Sequence, residues 1–341
     1  MPRVSLTQSL RRFKDDDPEV VAIDTETTGV EFFDEAFCAT LAWRDRRGAL
    51  LSGYCELPRY RDNLHDCLEG RRWVFHNAKF DLQKLILAGV LRRELLFPEA
   101  IEDTEALAHL LDENRKKGLK PLAESILGED ISDTQELRRV KKFFKITKND
   151  GYERMPSLTL VPYAIKDAEF TLRLWEELSP LVVDAGLEDF YRGEMELCLV
   201  LLDVESSGMA INRDYIRKKI KEFNDRVVSL DFEIEDLVGK PVREGKIPAK
   251  VRHEFFNPNY PGDVLAELKK RGIKVTNTKK ETLEPLNDEL ANIIEERRFK
   301  KKMVSSYLQP IIENEKGGVY HGNFRQHGTR TGRLSSGAAV D

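Results

Sequence analysis

Several features that would assign a protein to a specialised class are missing from this sequence of 341 residues. Its four cysteines show no Cys-x-x-Cys spacing, which argues against a zinc site and against a disulfide framework. No stretch has the apolar length of a signal peptide or of a membrane span, and no segment is rich in Gly and Ser or in Pro. We therefore expect a globular protein of a reducing cytoplasm, with no membrane partner and with room for two domains.

A strong charge of one sign is also missing, because the net charge is only −5. The two halves nevertheless differ. Residues 1–200 contain 29 Lys and Arg against 38 Asp and Glu, and residues 201–341 contain 26 against 22. An acidic first part and a mildly basic second part suit a carboxylate-rich metal site joined to a phosphate-contacting module, although an ordinary solvated mixture of charges explains them equally well.

The spacing of apolar residues predicts a sheet with flanking helices in the first half. Short apolar or β-branched runs, typical of strands, lie at residues 19–23, 36–43, 49–54 and 73–75 and near Ile101. Helical patterns occupy residues 59–68, 78–88, 104–111, 119–126 and 134–144, and continue from Pro162. Strands in meander order, followed by strands alternating with helices, indicate an α/β fold with a mixed sheet.

The second half is predicted to be mainly helical. Residues 194–206 and 213–238 are long helical patterns. The second pattern has an apolar stripe made of Ile216, Ile220, Phe223, Val227, Leu230 and Ile234. Pro180 and Gly186 mark the boundary, and a short strand-like tail begins at Gly317. We predict a domain at residues 1–180, a helical region at 181–316 and a separate final part at 317–341.

The first candidate functional element is the pair Asp24 and Glu26, which follows the strand run at residues 19–23. Side chains two residues apart on a strand point to the same side, so both carboxylates can share one hard divalent cation. A single Asp-x-Glu triplet is more often a solvated turn. This pair therefore needs further carboxylates nearby before it indicates a site.

Two further elements supply such carboxylates. Asp81 lies four residues after Asn77, one helical turn along the same face, and Asn77 can cap that helix. Tyr163 and Asp167 have the same spacing on a helix for which Pro162 is the predicted first residue. Each pair alone also has a purely structural explanation. Asp81 could be an ordinary acidic residue in the first turn of a helix, and Tyr163 with Asp167 could be a half-buried tyrosine beside a surface acid.

Together the elements indicate chemistry that needs metal ions. Four carboxylates that converge without a cation repel one another and raise their own pKa values. Two divalent cations remove that repulsion, and phosphodiester hydrolysis uses one to activate water and one to stabilise the leaving oxygen. The sequence offers no competing Ser–His–Asp or Cys–His arrangement. We therefore predict a hydrolase with two Mg²⁺ or Mn²⁺ ions at Asp24, Glu26, Asp81 and Asp167.

The three elements, in this order, resemble the exonuclease motifs of the DEDD superfamily, and the predicted sheet is similar to the ribonuclease H-like fold. The third motif has Tyr163 where another branch of the superfamily has a histidine, so it resembles the motif of the Tyr-containing branch. That branch holds the proofreading domains of family A DNA polymerases and the ribonuclease D-like enzymes. The resemblance implies 3′-5′ exonuclease activity on a nucleic-acid 3′ end.

The resemblance also implies roles for individual residues. Asp24, Glu26 and Asp167 would hold the metal that activates water. Asp24 would bridge to a second metal supported by Asp81, and Tyr163 would orient the nucleophile. The predicted substrate contacts are Thr27, Asn77 and Lys79.

The second half favours the polymerase branch. Residues 204–211 resemble the segment that opens a family A polymerase thumb, and residues 256–265 resemble its Phe-Asn-Pro-x-Ser-Pro motif, followed by a long helix at residues 283–302. Residues 327–336 resemble the Thr-x-Thr-Gly-Arg-Leu-Ser-Ser element that begins the palm. The likeness implies further DNA contacts at Arg297, Lys301 and Arg333.

The sequence departs from this family after Ser336, where Gly-Ala-Ala-Val-Asp stands in place of the continuing palm. The carboxylates needed for nucleotide addition would lie in that palm, so we expect no polymerisation by this chain alone. A separate polypeptide with palm and fingers is the preferred explanation, and an excised piece of a longer protein is the other. The first strand also lies too near the start to leave room for the 5′-nuclease domain of a bacterial repair polymerase, which favours a phage-type enzyme. We expect it to work in the cytoplasm of a bacterial or phage-infected cell.

Two alternative functions remain open at this point. A ribonuclease D-like RNA 3′ exonuclease would use the same catalytic residues. A DNA-binding assembly subunit with an inactive exonuclease site would keep the fold without the chemistry.

Overall fold

The computed structural model of the protein describes residues 6–131, 133–146, 152–245 and 248–336. The strands are β1 (Val20–Thr27), β2 (Ala36–Arg44), β3 (Leu50–Glu56), β4 (Arg72–Phe75), β5 (Ile101–Asp103), β6 (Met209–Ala210), β7 (Val319–Tyr320), β8 (Phe324–Arg325) and β9 (Ser335–Ser336). The first helices are α1 (Leu6–Asp16), α2 (Arg61–Leu68), α3 (Ala78–Leu87), α4 (Thr104–Leu111), α5 (Leu119–Leu127), α6 (Asp133–Phe143) and α7 (Ser157–Asp184). The later helices are α8 (Glu188–Ser207), α9 (Arg213–Val238), α10 (Pro261–Lys270), α11 (Lys280–Leu283), α12 (Glu289–Met303) and α13 (Gln309–Asn314).

A five-stranded sheet organises the first half of the chain, with the strand order β3-β2-β1-β4-β5. Strands β1, β2 and β3 pair in antiparallel fashion as a meander, whereas β4 and β5 join parallel to β1. Helices pack against this sheet. The predicted α/β fold, a mixed sheet flanked by helices, is confirmed.

The two faces of the sheet bury different helices. Val21 and Ile23 of β1 belong to the large core that also contains Leu82 and Leu85 of α3. On the other face, small side chains let α7 approach closely, in a second core made of Ala22, Ala42, Val74, Ala168 and Leu172. Strand β1 is therefore covered by α3 on one side and by α7 on the other, and both helices carry predicted site residues.

Helix α7 is longer than predicted at its beginning and passes through the predicted boundary. It begins at Ser157, so Pro162 is not its first residue, and it continues through Pro180 to Asp184. The missing N–H of Pro162 leaves the carbonyl of the residue four positions earlier without its helical donor. That residue, Leu158, is 73% exposed, so water can replace the bond. Gly186, with a φ of 68°, follows the end of the helix.

The chain divides into two compact units, residues 1–208 with 321–341, and residues 209–320. The first unit contains the sheet and α8 as well as β8 and β9. The predicted domain limits at residues 180 and 316 remain a prediction. Residues 337–341, where the sequence departs from the polymerase pattern, lie outside the described residues.

In the second unit, α9 and α12 form the main helix pair. The apolar stripe predicted along α9 is confirmed, since its members are buried or half-buried. The helix predicted at residues 283–302 is interrupted. Lys280–Leu283 is a short helix, Pro285 lies in a 3-10 turn, and Asn287 has a φ of 49°. Asp288 then caps α12 by accepting a hydrogen bond from the N–H of Ala291 at 3.0 Å.

The strand-like tail predicted from Gly317 is confirmed by β7, β8 and β9. Among the described residues, no helix is long and apolar enough to cross a membrane.

Candidate active site

Strand β1 carries both carboxylates of the first motif near its end. Because side chains alternate along a strand, Asp24 and Glu26 lie on the face of Ala22, which packs against α7. The register between β1 and β2 shifts between Glu26 and Thr27. Such a bulge redirects the side chains beside it. Thr25 lies on the opposite face of the strand, towards α3.

Thr25 connects β1 to the second motif. The Asp81 carboxylate accepts hydrogen bonds from the backbone N–H of Thr25 at 3.0 Å and from its hydroxyl at 2.6 Å. Asp81 is only 4% exposed. These two bonds fix the carboxylate beside the strand segment that carries Asp24 and Glu26.

Asn77 does not cap α3 through its side chain, contrary to the sequence interpretation. Its backbone has a φ of 70°, and its N–H and that of Ala78 donate to the Asp103 carboxylate at 3.1 and 2.7 Å. Asp103 also caps its own helix α4, where it accepts from the N–H of Glu105 at 2.8 Å. One carboxylate at the end of β5 therefore holds the beginnings of α3 and α4 together.

Helix α7 brings the third motif to the same place. The Thr40 hydroxyl on β2 donates to the backbone carbonyl of Ala164 at 3.0 Å, between Tyr163 and Asp167. Tyr163 is half-buried, and Asp167 is buried. This hydrogen bond and the small side chains under α7 place one turn of the helix against the strands.

Two lysines that the sequence analysis did not single out complete the site. Lys120 on α5 forms an ion pair with Asp167, and its ammonium lies 4.3 Å from the centre of the Tyr163 ring. Lys141 on α6 donates to the Tyr152 hydroxyl at 2.8 Å. The Tyr152 and Tyr163 rings lie 6.4 Å apart. No local pattern marks these lysines, because their contacts depend on how α5 and α6 pack against α7.

The carboxylates influence each other's protonation. Burial raises the pKa of Asp24 to about 7, with the Lys120 ammonium acting in the opposite direction. Burial, the Asp24 charge and the Asp81 charge raise the pKa of Glu26 well above its usual value, against the effect of Lys141 and Lys120. Burial and Asp24 likewise raise the pKa of Asp81, opposed by the hydrogen bonds from Thr25. The three groups are thus close enough for mutual repulsion.

The chemistry of these donors fits hard divalent cations. Within the described ranges, no group of three or more His, Cys, Asp or Glu side chains is arranged closely enough to enclose a metal ion, and Asp167 is paired with Lys120. The raised pKa values nevertheless show that the surroundings of these buried carboxylates do not neutralise their negative charge. A divalent cation bound by their oxygen atoms would supply the missing positive charge. Asp24, Glu26, Asp81 and Asp167 are the residues that could hold such ions.

The predicted substrate contacts occupy different environments. The Thr27 hydroxyl donates to the backbone carbonyl of Gly29 at 2.6 Å. Asn77 is exposed. Lys79 is buried and forms an ion pair with Glu205 of α8. The roles of all three in substrate binding remain predictions, and the pairing of Lys79 gives it a structural role as well.

The predicted DNA contacts also differ from one another. Arg297 is only 1% exposed and its guanidinium is paired with Asp231 and Glu244. Its burial argues against the predicted phosphate contact, because a phosphate on the surface cannot reach it. Lys301 is half-buried and is also paired with Glu244, whereas Arg333 is exposed. Both of these remain predicted contacts.

Comparison with known proteins gives a consistent assignment. A family model described as 3′-5′ exonuclease, of the DNA polymerase A type, matches residues 5–182. DNA polymerase I of Chloroflexus aurantiacus is 32% identical over 269 residues, which are 76% of this chain and 27% of that protein. DNA polymerase DpoZ of Salmonella phage PMBT28 is 27% identical over 352 residues, with 92% of this chain and 53% of that protein covered. The DNA polymerase of Escherichia phage T5 is 27% identical over 349 residues, covering 94% and 40%.

A solved structure shares the fold. The POL domain of Pol1 from M. smegmatis, in a complex with DNA primer-template and dNTP, matches with a TM-score of 0.70 at 16% identity, over 98% of this chain and 54% of that chain. The chain thus spans between about a quarter and about half the length of these relatives. The matched model covers more than half of this chain and contains all three motifs. The chain therefore belongs to the family A, DNA polymerase I-like proteins, and residues 5–182 are their 3′-5′ exonuclease domain.

Proposed function

We propose that this chain removes nucleotides from DNA 3′ ends, with Asp24, Glu26, Asp81 and Asp167 holding two Mg²⁺ or Mn²⁺ ions. Exonuclease domains of this family are metal-dependent nucleases. The observation that carries the assignment of residues is the convergence of the three motifs beside the end of β1. Thr25 binds Asp81 directly, and the charges of Asp24 and Asp81 both raise the pKa of Glu26.

Each side chain has a distinct part in this proposal. Asp24, Glu26 and Asp167 would hold one cation, and Asp24 with Asp81 the second. When bound, the cations lower the pKa of the attacking water and neutralise charge at the phosphate and the leaving 3′ oxygen. The hydroxyl of Tyr163 orients that water, since Tyr163 and Asp167 lie one turn apart on the same face of α7.

The burial of the carboxylates favours this chemistry. Glu26 and Asp81 are 5% and 4% exposed, so the site presents little of them to bulk solvent. Electrostatic interactions are stronger in such an environment than in water. The two hydrogen bonds from Thr25 keep Asp81 in one orientation, which reduces the reorganisation needed when substrate binds.

The double variant Asp24→Ala with Asp167→Ala tests the assignment. We expect this variant to shorten a 3′-labelled DNA oligonucleotide in Mg²⁺ or Mn²⁺ at least about a hundred-fold more slowly than the unmodified chain, because both substitutions remove proposed metal ligands. Asp62→Ala is the matched control, since the Asp62 side chain is 85% exposed and lies on α2. An unchanged rate in the double variant would show that these carboxylates are not the catalytic ones.

The same assay separates the remaining alternatives. A matched RNA oligonucleotide should be shortened more slowly than DNA, and a strong preference for RNA would support a ribonuclease D-like activity instead. A chain that binds primer-template DNA but never shortens it with either metal would be an inactive assembly subunit. EDTA should abolish hydrolysis.

A separate polypeptide with palm and fingers is the proposed protein partner. Its support is the likeness of residues 327–336 to the element that opens a polymerase palm. We expect no primer extension by the purified chain and restored extension when a fraction from the source cells is added. Extension by the purified chain alone would contradict the proposal.

A further inference from the structure

The end of α6 and the turn after it form a basic and aromatic surface. Residues 137–146 contain five Lys and Arg and no Asp or Glu, in a half of the chain that is acidic as a whole. Six exposed side chains make up this surface, which is called the 138–145 surface below: Arg138, Arg139, Lys142, Phe143, Phe144 and Lys145. None of them belongs to the three exonuclease motifs.

This surface borders the candidate active site. On its inner side, α6 contributes Leu137 and Val140 to a small core that also contains Leu160 and against which Tyr163 packs. Lys141 lies between the two regions, because it contacts Tyr152 at 2.8 Å and its charge acts on Glu26. The helix is therefore anchored beside the catalytic tyrosine and presents its other side to solvent.

Two phenylalanines lie next to each other on this surface. Phe143 is 79% exposed and Phe144 is 44% exposed, and their rings form an edge-to-face pair with centroids 5.2 Å apart. Together with Arg139 and Val140 they line an open groove. Exposed apolar groups gathered at one point mark an interaction site rather than a part of the core.

The cations around this groove are available for a ligand. In the part of the chain that the structure describes, Arg138, Arg139, Lys142 and Lys145 form neither an ion pair nor a side-chain hydrogen bond. Several other cations of the sheet-containing unit have carboxylate partners, for example Arg44 with Glu176 and Arg173 with Glu129. Four positive charges next to an aromatic pair suit an anionic ligand with flat, stacking groups.

We propose that the 138–145 surface binds the single-stranded 3′ segment of the DNA as it approaches the exonuclease site. Single strands bind proteins through positively charged grooves that follow the phosphates and through aromatic side chains on which bases stack. The 138–145 surface has both features, and Lys141 lies between it and the carboxylates. This inference rests on the proposed function, because it assigns an approach path to that substrate.

Two sets of substitutions separate the two features. Phe143→Ala with Phe144→Ala removes the stacking groups, and we expect a roughly ten-fold weaker affinity for a single-stranded oligonucleotide per stacked base lost. Arg138→Ala, Arg139→Ala and Lys142→Ala together should reduce the slope of log K against log salt by about two, at about 0.7 per phosphate contact. Fluorescence anisotropy in EDTA measures both without hydrolysis.

The control variant is Phe190→Ala. Phe190 is 69% exposed and lies on α8, so it matches Phe143 in chemistry and exposure but not in location. We expect it to bind the oligonucleotide like the unmodified chain. Circular dichroism of the Phe143→Ala and Phe144→Ala variant should match that of the unmodified chain, because these side chains contribute little to the core.

A small substrate distinguishes failure of this inference from failure of the proposed function. The p-nitrophenyl ester of thymidine 5′-monophosphate reaches the catalytic carboxylates without needing a strand path. The Phe143→Ala and Phe144→Ala variant should hydrolyse this ester at the unmodified rate and shorten the oligonucleotide with a raised KM.

The possible outcomes are distinct. If the unmodified chain is active but the phenylalanine variant keeps its oligonucleotide binding and its KM, the proposal that the 138–145 surface binds the strand is wrong. The exonuclease assignment would remain intact. An inactive unmodified chain whose DNA binding still depends on the phenylalanines would overturn the proposed function and leave the surface assignment intact. Equal loss of binding with Phe190→Ala would also overturn the path.

Discussion

Lys120 forms an ion pair with Asp167 while its ammonium lies over the ring of Tyr163. The same ammonium opposes the effect of burial on the pKa of Asp24 and Glu26. Lys120 therefore supplies positive charge to the carboxylate cluster. Its charge comes from α5, outside the three exonuclease motifs.

Lys120→Met removes this charge and keeps a long apolar side chain. A fixed positive charge beside the carboxylates repels a divalent ion, so we expect Mn²⁺ to bind the variant several-fold more tightly at about pH 8.5, which lies above the pKa of about 7 of Asp24. Isothermal titration calorimetry measures the affinity.

Two control variants isolate the charge of Lys120. Lys116→Met changes an exposed lysine in the segment before α5 and should leave Mn²⁺ affinity as it is. Lys120→Arg keeps the charge and should also bind Mn²⁺ like the unmodified chain. Equal or weaker affinity in Lys120→Met would mean that the ion pair with Asp167 does not compete with metal.

The raised pKa of Asp24 predicts that the metal-free chain is less stable in mildly alkaline than in mildly acidic solution. A folded-state pKa of about 7 lies above the unfolded value of a carboxyl, so the folded chain holds the proton more tightly. This contribution to stability is fully present below the unfolded pKa and is lost as pH rises towards 7. Urea unfolding in EDTA at about pH 5.5 and about pH 8 should show the decrease.

Asp24→Asn provides the test of this origin. The amide does not titrate, so the decrease in the free energy of unfolding between the two pH values should become smaller by an amount on the order of 1–3 kcal/mol. Glu26 and Asp81, whose pKa values are also raised, contribute to the decrease in the same direction. Asp62→Asn is the exposed control, and an undiminished decrease in Asp24→Asn would assign the titration to other groups.

The sequence alone predicted the parts of the site that depend on local spacing. Alternation on a strand placed Asp24 and Glu26 on one face, and the four-residue spacing on a helix placed Tyr163 with Asp167. The bulge after Glu26, the Asp103 cap on α3 and the Lys120 ion pair could not be predicted, because each depends on residues far apart in sequence. A residue type and its spacing do not specify such partners.

The same distinction explains the errors in the fold prediction. Pro162 was interpreted as a helix start because proline is favoured in the first turn. In the structure the helix begins five residues earlier, and the carbonyl that loses its helical bond belongs to the exposed residue Leu158. Conversely, the long helix predicted at residues 283–302 rested on the resemblance to a polymerase thumb and overlooked Pro285 and Asn287, which end one helix before the next begins.

The two hydrogen bonds from Thr25 to Asp81 lead to a third prediction. Thr25→Val removes the hydroxyl donor at 2.6 Å but keeps the backbone N–H at 3.0 Å. The carboxylate loses one of the bonds that hold its pKa down, so we expect that pKa to rise further and the exonuclease rate to fall by roughly ten-fold. The free energy of unfolding should decrease by about 1 kcal/mol.

Thr25→Ser keeps the hydroxyl and should retain most of the activity. The rate as a function of pH distinguishes a loss of positioning from a general loss of stability, because only the former moves the acidic limb of the profile to higher pH. An unchanged profile in Thr25→Val with an unchanged rate would show that the backbone N–H alone is sufficient to position Asp81.

Arg297 supplies the last prediction, in which a predicted DNA contact behaves as a structural residue. Its guanidinium is buried and paired with Asp231 and with Glu244, the latter at 2.7 Å. Arg297→Ala removes the buried guanidinium from two partly exposed carboxylates, so we expect the free energy of unfolding to fall by about 1–3 kcal/mol. The salt dependence of DNA binding should stay the same, because a buried cation neutralises no phosphate.

The exposed Arg333→Ala variant is the comparison: it should leave stability unchanged and reduce the salt slope. A reduced slope with full stability in Arg297→Ala would restore the DNA contact that the sequence suggested.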